Sequence, residues 1–225
     1  MLNNNINLIL EAIKLGDQIG GPTMLATILS ESLIEKKGFD ENDLRSRYLK
    51  WWKVGAFDTG PTFASVFSKI DKGVKPKLAI QKVYNDFGSN TAGCGPAHRA
   101  TPLAALLDIP INQLILIVKK EAKITHFDKD AGMGSAIIVL LCRYLLEGKN
   151  YYDAIKLISE NAHLSDSWIN IKKSKLRPDG YIFNVIYSAL YFIDNNKSLE
   201  DTFLFAGKAN YCPIIFSVIK SCMSK

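Results

Sequence analysis

Several features that mark specialised protein classes are missing from this chain of 225 residues. It has only four cysteines and no CxxC pair, which argues against a structural zinc site and is typical of a reducing compartment. No apolar run approaches the ~20 residues of a membrane-spanning helix. The first residues lack the basic and apolar segments of a secretory signal peptide. We expect a cytoplasmic protein with no membrane span; delivery to a host cell without such a signal, as for a bacterial effector, is the alternative.

Charge of one sign is only mildly in excess, with 28 Lys and Arg against 22 Asp and Glu and a formal net charge of +6. This excess favours anionic ligands, but the basic residues are spread along the chain and form no stripe interleaved with aromatics, so no nucleic-acid partner is predicted. Hydrophobic residues make up 48% and charged residues 22%, which excludes a disordered chain. We predict one folded domain over residues 1–225.

Alternating patterns of period two, typical of β-strands, are also missing, and apolar residues recur at helical spacing instead. Prolines and N-capping residues precede many of the apolar stretches, as at Pro61, Pro76, Pro110 and Asp128. Predicted helices cover residues 8–15, 23–36, 41–52, 76–87, 129–146, 151–162, 181–192, 199–206 and 213–219, and others begin at 61 and 110. Residues 165–180 are predicted to be a long, basic, solvated connection. The fold class predicted is all-α, a compact helical bundle.

Glycine is combined with an acidic or polar residue in three loops next to predicted helix ends, and a fourth loop carries His126 and Asp128. These four segments are residues 16–21, 57–62, 93–99 and 124–128. Glycines let backbone N–H groups approach an anion at a helix start. The segment from Gly93 to Arg99 is therefore interpreted as a phosphate cradle with a guanidinium beside it. Each segment also has an ordinary explanation, since an aspartate at a helix start is usually an N-cap and a lone histidine is usually buried in the core.

Taken in order, these segments resemble the ADP-ribosylglycohydrolase family, which includes dinitrogenase reductase-activating glycohydrolase and the ADP-ribosylarginine hydrolases. The matching motifs are Gly16-Asp17-x-x-Gly20, Tyr48-Leu-x-Trp51, Asp58-x-Gly60-x-Thr62, Gly93-x-Gly95-x-Ala97-x-Arg99-x-x-Pro102 and Thr125-His126-x-Asp128. The resemblance implies a compact all-α hydrolase that removes ADP-ribose from a modified protein side chain, with arginine the preferred acceptor. Family members usually use two magnesium ions.

Two family motifs that supply acidic ligands are altered here. The Thr-Asp-Asp-Thr-like motif at a helix start is reduced to Thr23, and the C-terminal Gly-Gly-Asp-x-Asp-Thr motif corresponds to residues 206–211, with Lys208 and Asn210 at the two aspartate positions. Magnesium requires several hard oxygen ligands. We therefore expect no metal ligands and no cofactor. Lys208 either takes over part of the electrostatic role of a cation or is a surface residue in an altered loop.

Hydrolysis at the ribose anomeric carbon passes through an oxocarbenium-like state that a carboxylate can stabilise. The residues expected to be catalytic are Asp58 first and Asp17 second, with Asp128 and His126 orienting ribose hydroxyls or supplying an acid. The residues expected to bind substrate are Thr59, Gly60, Gly93, Cys94, Gly95, His98, Arg99, Thr125, His126, Lys208, Asn210 and Tyr211.

Three functions follow from these patterns. The favoured one is a metal-independent hydrolase that acts as a monomer on an ADP-ribosylated protein. The second is a catalytically inactive module of the same fold that binds ADP-ribose or a modified protein. The third is a helical scaffold or nucleic-acid-binding protein, which the scattered basic residues argue against.

Overall fold

The protein is built from helices throughout the part of the chain that the structure, a computed structural model, describes, namely residues 2–207 and 211–224. This part contains no β-strand, and the all-α prediction is confirmed. The helices are α1 Leu2–Gly16, α2 Gly21–Lys36, α3 Glu41–Lys53, α4 Pro61–Asp71, α5 Pro76–Asp86, α6 Gly95–Arg99, α7 Ile111–Ala122, α8 Lys129–Leu146, α9 Tyr151–Ser159, α10 Ser165–Lys172, α11 Ile182–Asp194, α12 Leu199–Ala206 and α13 Cys212–Met223, with a 3₁₀ turn at Thr101–Ala105.

Helix α8 is the centre of the bundle. Almost every side chain from Ala131 to Leu146 is buried, and α6, α7, α9, α10, α11 and α13 pack around it. A helix that is apolar on all sides can only be stable where neighbours cover all of its surface. Asp128 begins this helix as its N-cap, accepting a hydrogen bond from the backbone N–H of Asp130 at 2.9 Å. The apolar sequence of α8 therefore places it inside the molecule.

The two ends of the chain pack against each other through α1 and α13. They come very close at Gly16, where an added Cβ would lie 2.5 Å from the Cα of Ile214. Only glycine allows two helices to come this close at that point. Gly16 is therefore required by packing, and it brings the loop that follows α1 next to the start of α13.

Several predicted helix boundaries are confirmed by their caps. Asp40 begins α3 by accepting hydrogen bonds from the backbone N–H groups of Asn42 and Asp43, and Ser198 begins α12 with a full capping box that involves Asp201. These caps depend on residues two or three positions apart in the chain. They can therefore be recognised before the tertiary structure is known.

The prediction of a long connection over residues 165–180 is wrong, because α10 occupies its first half. Trp168 and Ile171 on the inner face of α10 are buried, whereas Lys172 and Lys173 are exposed. The apolar stripe of this helix covers only two or three positions, so it is not recognisable in a segment rich in basic residues. The helix predicted to reach residue 162 also ends earlier, at Ser159, while α11 and α13 run beyond their predicted ends.

Within residues 2–207 and 211–224, no helix combines the length and the apolar character needed to cross a membrane. The loops that precede α2, α4, α6 and α8 meet on one side of the bundle, near the start of α13. The segment from Gly93 to Cys94 is tied to the start of α11, because the Cys94 N–H donates to the Gly180 carbonyl at 3.1 Å and the Ile182 N–H donates to the Ala92 carbonyl at 3.0 Å. This meeting of loops forms the candidate site.

Candidate active site

A cavity of about 180 Å³ lies where these loops meet. It collects residues that are distant in the chain, from the start of α2 to the start of α13. Ten of the residues predicted from the sequence line it. Its lining consists of Pro22, Leu25, Asp58, Thr59, Gly60, Pro61, Thr62, Phe63, Gly93, Cys94, Gly95, His98, Arg99, His126, Gly180 and Tyr211.

Asp58 contributes the one carboxylate among these lining residues. It is half-buried, and its backbone has φ = 48°, a left-handed conformation that is uncommon for a residue with a side chain. Oδ1 accepts a hydrogen bond from the Tyr211 hydroxyl at 2.8 Å, and Oδ2 accepts one from the Gly21 N–H at 3.3 Å. An added Cβ at Gly21 would lie 2.2 Å from the carbonyl oxygen of Asp58. The carboxylate is thus held in a single position by neutral donors and close backbone packing.

Tyr211 is the main partner of Asp58. Burial and the nearby Asp58 raise the pKa of its phenol well above the ordinary value, so the hydroxyl keeps its proton and donates it to the carboxylate. The Tyr211 ring also lies against the imidazole of His98, with ring centroids 5.2 Å apart. A side chain from the C-terminal end of the chain therefore closes the cavity over Asp58.

The contacts of Arg99 are with buried protein groups, although it was predicted to bind the substrate. Its Nε donates to Oε1 of Glu121 at 2.6 Å, and its Nη2 donates to Oγ1 of Thr125 at 2.9 Å. Arg99 and Glu121 are 1% and 0% exposed, and the guanidinium lies near the faces of the Tyr48 and Phe63 rings. Because its charge is already balanced inside the protein, the expectation that Arg99 holds a diphosphate is not supported. Arg99 is a structural cation that also forms part of the cavity lining.

Thr125 and His126 extend the hydrogen-bonded network that begins at the ion pair of Arg99 and Glu121. Thr125 is buried behind the cavity and does not line it, contrary to the prediction that it contacts substrate, and its Oγ1 lies 2.7 Å from Nδ1 of His126. Burial and the nearby Arg99 hold the pKa of His126 well below its usual value. His126 therefore presents a neutral imidazole to the cavity.

The loop from Gly93 to Gly95 leaves room for that imidazole. An added Cβ at Gly93 would lie 3.4 Å from Nε2 of His126, and one at Gly95 would lie 3.7 Å from its Cε1. Neither glycine has a positive φ, and both distances are ordinary van der Waals contacts, so a methyl group at either position would rest on the imidazole without a clash. The predicted phosphate cradle is weak at this point, because the Cys94 N–H is bonded to Gly180 and Pro96 has no N–H.

Two further side chains of the cavity are neutral and buried. Burial lowers the pKa of His98 to about 3, and its Nε2 has no hydrogen-bond partner within the described residues. Burial raises the pKa of Cys94 to about 12, so this side chain is a thiol and not a thiolate. One nitrogen of His98 is therefore buried without a partner within the described residues, and Cys94 provides only contact surface.

Asp17 and Asp128 cap helices and do not line the cavity, contrary to the catalytic roles predicted for them. Oδ1 of Asp17 accepts from the Gly20 N–H at 2.9 Å, and Oδ2 accepts from the N–H and the hydroxyl of Thr23 at 2.9 and 2.6 Å. A carboxylate with this many donors is a strong helix-start anchor. Lys208 and Asn210 lie outside the described residues.

Comparison with known proteins gives the family and the fold of this chain. Residues 15–207 match the family model described as ADP-ribosylglycohydrolase. The chain belongs to the ADP-ribosylglycohydrolase family. A solved structure titled "ADP-ribosylglycohydrolase-related protein complex" has the same fold, with a TM-score of 0.66 and 20% identity over 90% of this chain and 70% of the other. No curated protein matches the sequence significantly. Family and fold indicate a hydrolase of the ADP-ribosylglycohydrolase type.

Of the side chains that the structure describes, those at the cavity do not fit the two magnesium ions usual in ADP-ribosylglycohydrolases. Among residues 2–207 and 211–224, no group of three or more His, Cys, Asp or Glu side chains is placed to hold a metal ion. Asp58 is the lone carboxylate of the cavity lining, and both of its oxygens already accept hydrogen bonds from protein donors. A magnesium ion needs near-octahedral oxygen ligands.

Sequence reasoning gave no role in the site to three residues on which this ADP-ribosylglycohydrolase site depends: Gly21, Tyr48 and Glu121. Glu121 gave a usable signal, because it lies on the apolar stripe of α7 that includes Leu114 and Val118. A carboxylate on a buried helix face needs a cationic partner. Gly21 and Tyr48 lie in segments that the sequence singled out, but their roles come from contacts with Asp58 and Arg99 that only the fold creates.

Proposed function

We propose that this protein hydrolyses the bond between ADP-ribose and a modified protein side chain, with Asp58 as the catalytic carboxylate. The observation that carries the proposal is the position of Asp58 in the cavity, held by Tyr211 and Gly21 in the same lining as His126. A half-buried carboxylate in this setting can stabilise the positive charge that develops at the anomeric carbon. It can also take a proton from the attacking water.

The cavity is large enough for one part of ADP-ribose but too small to enclose the whole molecule. Its volume of about 180 Å³ is below the ~300–1,000 Å³ of pockets that enclose a whole ligand. In our proposal the ribose next to the scissile bond occupies the cavity, and the diphosphate and adenosine extend outside it. This leaves the diphosphate independent of Arg99, whose charge Glu121 balances.

With arginine as the proposed acceptor, the reaction is a hydrolysis at a C–N bond. Water adds its oxygen to the anomeric carbon, one water proton passes to Asp58, and the C–N bond breaks. The leaving guanidine takes a proton from solvent, and Asp58 returns its proton to solvent. We propose that this occurs without the dinuclear magnesium site, and the two hydrogen-bonded oxygens of Asp58 support that view.

The test uses arginine-ADP-ribosylated protein, followed by release of ADP-ribose with and without EDTA. Asp58→Asn should lower the rate by ~100-fold or more, the scale of acid–base catalysis. Asp128→Asn is the matched control, because asparagine also caps helices well, and this variant should remain active. Activity abolished by EDTA would contradict metal independence, and an active Asp58→Asn would contradict the role of Asp58.

A second function is favoured by one observation: each oxygen of Asp58 already accepts a hydrogen bond within the protein. A carboxylate engaged in this way suits an inactive module that binds ADP-ribose without cleaving it. Calorimetry with ADP-ribose separates the two functions, because tight binding with no release from ADP-ribosylated arginine or serine supports the module. The acceptor residue, the monomeric state and the location in the cell stay predictions from the sequence.

A further inference from the structure

Glu121, Arg99, Thr125 and His126 form one buried chain of hydrogen bonds that ends at the cavity. The first link is the ion pair from Arg99 Nε to Glu121 Oε1, and the second is the bond from Arg99 Nη2 to Thr125 Oγ1. The third joins Thr125 Oγ1 to His126 Nδ1 at 2.7 Å. All four side chains are at most 4% exposed. Water therefore does not compete for these groups.

The directions of these bonds decide where the proton of His126 lies. Arginine can only donate, so Thr125 Oγ1 accepts from Arg99. Within the described residues, the one remaining partner of the Thr125 hydroxyl is Nδ1 of His126. A buried hydroxyl proton that finds no acceptor costs free energy. Thr125 therefore donates to Nδ1, and the single proton of a neutral imidazole must be on Nε2.

The Nε2 atom lies on the cavity side of the ring, beside Gly93. Since the pKa of His126 is held far below its usual value, the ring stays neutral and this N–H remains a donor across the physiological pH range. Asp58, on the same cavity, is an acceptor. A donor and an acceptor in one small cavity are complementary to a sugar diol, whose hydroxyls both accept and donate.

We propose that Arg99 and Thr125 are positioning residues that hold His126 in its Nε2–H tautomer, and that this N–H donates to a hydroxyl oxygen of the bound ribose. The tautomer follows from the hydrogen bonds together with the burial of the ring, which keeps it neutral. The identity of the sugar rests on the proposed function.

The tautomer can be measured without ligand or activity. Correlation of the histidine ring nitrogens with the ring protons by NMR shows which nitrogen is protonated, and the chain has only three histidines to assign. Exposed His163 is an internal reference, and His126→Gln identifies the His126 signals. We expect wild-type His126 to carry its proton on Nε2. A proton on Nδ1 would overturn the proposal.

Variants of Thr125 test the positioning role. Thr125→Val removes the hydroxyl at nearly constant volume and should allow both tautomers, whereas Thr125→Ser should restore the wild-type spectrum. A Thr125→Val protein that keeps a pure Nε2–H signal would contradict the role of Thr125, and the wild-type spectrum decides the tautomer even if this variant does not fold.

ADP-ribose binding, measured by calorimetry and by the shift of the Nε2–H signal, tests the donor. We expect Thr125→Val to bind about three- to tenfold more weakly, the range of one hydrogen bond. Binding that leaves the His126 signal unmoved would overturn the donor role. Failure of the wild-type protein to bind ADP-ribose would contradict the proposed function, while the ligand-free spectrum would still decide the tautomer.

Discussion

The buried pair of Arg99 and Glu121 gives the sharpest test of how this protein is held together. Among the residues that the structure describes, Glu121 supplies the one carboxylate that contacts the guanidinium, so replacing it with leucine leaves an unpaired charge that is 1% exposed. Breaking such a pair from one side costs about 3–5 kcal/mol. For a chain of this length, 1 kcal/mol corresponds to roughly 2–4 °C in melting temperature. The expected drop is therefore about 6–20 °C.

Equilibrium unfolding in urea of the wild type, Glu121→Leu, Arg99→Met and the double variant measures the coupling between the two side chains. The double variant should be much more stable than the sum of the single changes implies, because no buried charge is left unpaired. Lys156→Met is the control, since Lys156 and its partner Glu160 are 71% and 61% exposed and such pairs contribute about 0–1 kcal/mol.

Two results would refute this reasoning. A loss below 1 kcal/mol in Glu121→Leu would mean that solvent reaches the guanidinium. A double variant as unstable as the sum of its parts would mean that the two charges do not stabilise each other. Either result would make Arg99 available for a diphosphate, as the glycine-rich motif suggested.

Three further predictions concern the cavity. Gly21→Ala, which places Cβ 2.2 Å from the carbonyl oxygen of Asp58, should displace that loop, cost about 1–3 kcal/mol in urea unfolding and reduce ADP-ribose release. Full activity of this variant would contradict the importance of this close packing. Gly93→Ala should fold normally but lower activity, because the added methyl group covers the cavity-facing imidazole of His126. The control Gly132→Ala should keep its activity. Circular dichroism measures the folding of both variants, and enzyme assays measure their activity. In the folded protein His98 is neutral, with a pKa of about 3, whereas in the unfolded chain it takes up a proton near pH 6.5. Because of His98, the free energy of unfolding should therefore fall by about 1.4 kcal/mol per pH unit below pH 6.5. Thermal unfolding of His98→Gln should show a smaller slope with pH.

Much of the fold could be predicted because its signals are local. Asp40 and Asp128 cap helices through N–H groups only two or three residues away, and the uniformly apolar stretch after Asp128 could only be a buried helix. The short helices α6 and α10 were not predicted, because five or eight residues contain too few turns for a periodic pattern.

The candidate site could be predicted as a set of residues but not as a set of roles. Asp58 and His126 were expected in the site and both line the cavity, yet Asp17 and Asp128 carry the same functional groups and cap helices instead. Whether an aspartate caps a helix or faces a cavity depends on which donors surround it. Those donors are set by packing, so the motif alone cannot distinguish the two.

The sequence by itself determined that the chain is helical and where most helices begin, because these properties depend on neighbours within one turn. Its motif order also carried the resemblance to the ADP-ribosylglycohydrolase family, which the match over residues 15–207 bears out. Only the tertiary structure decided that Arg99 pairs with Glu121 and that Tyr211, 153 positions away, holds Asp58. Burial and pairing of charges depend on which helices meet, and that is a property of the packed bundle.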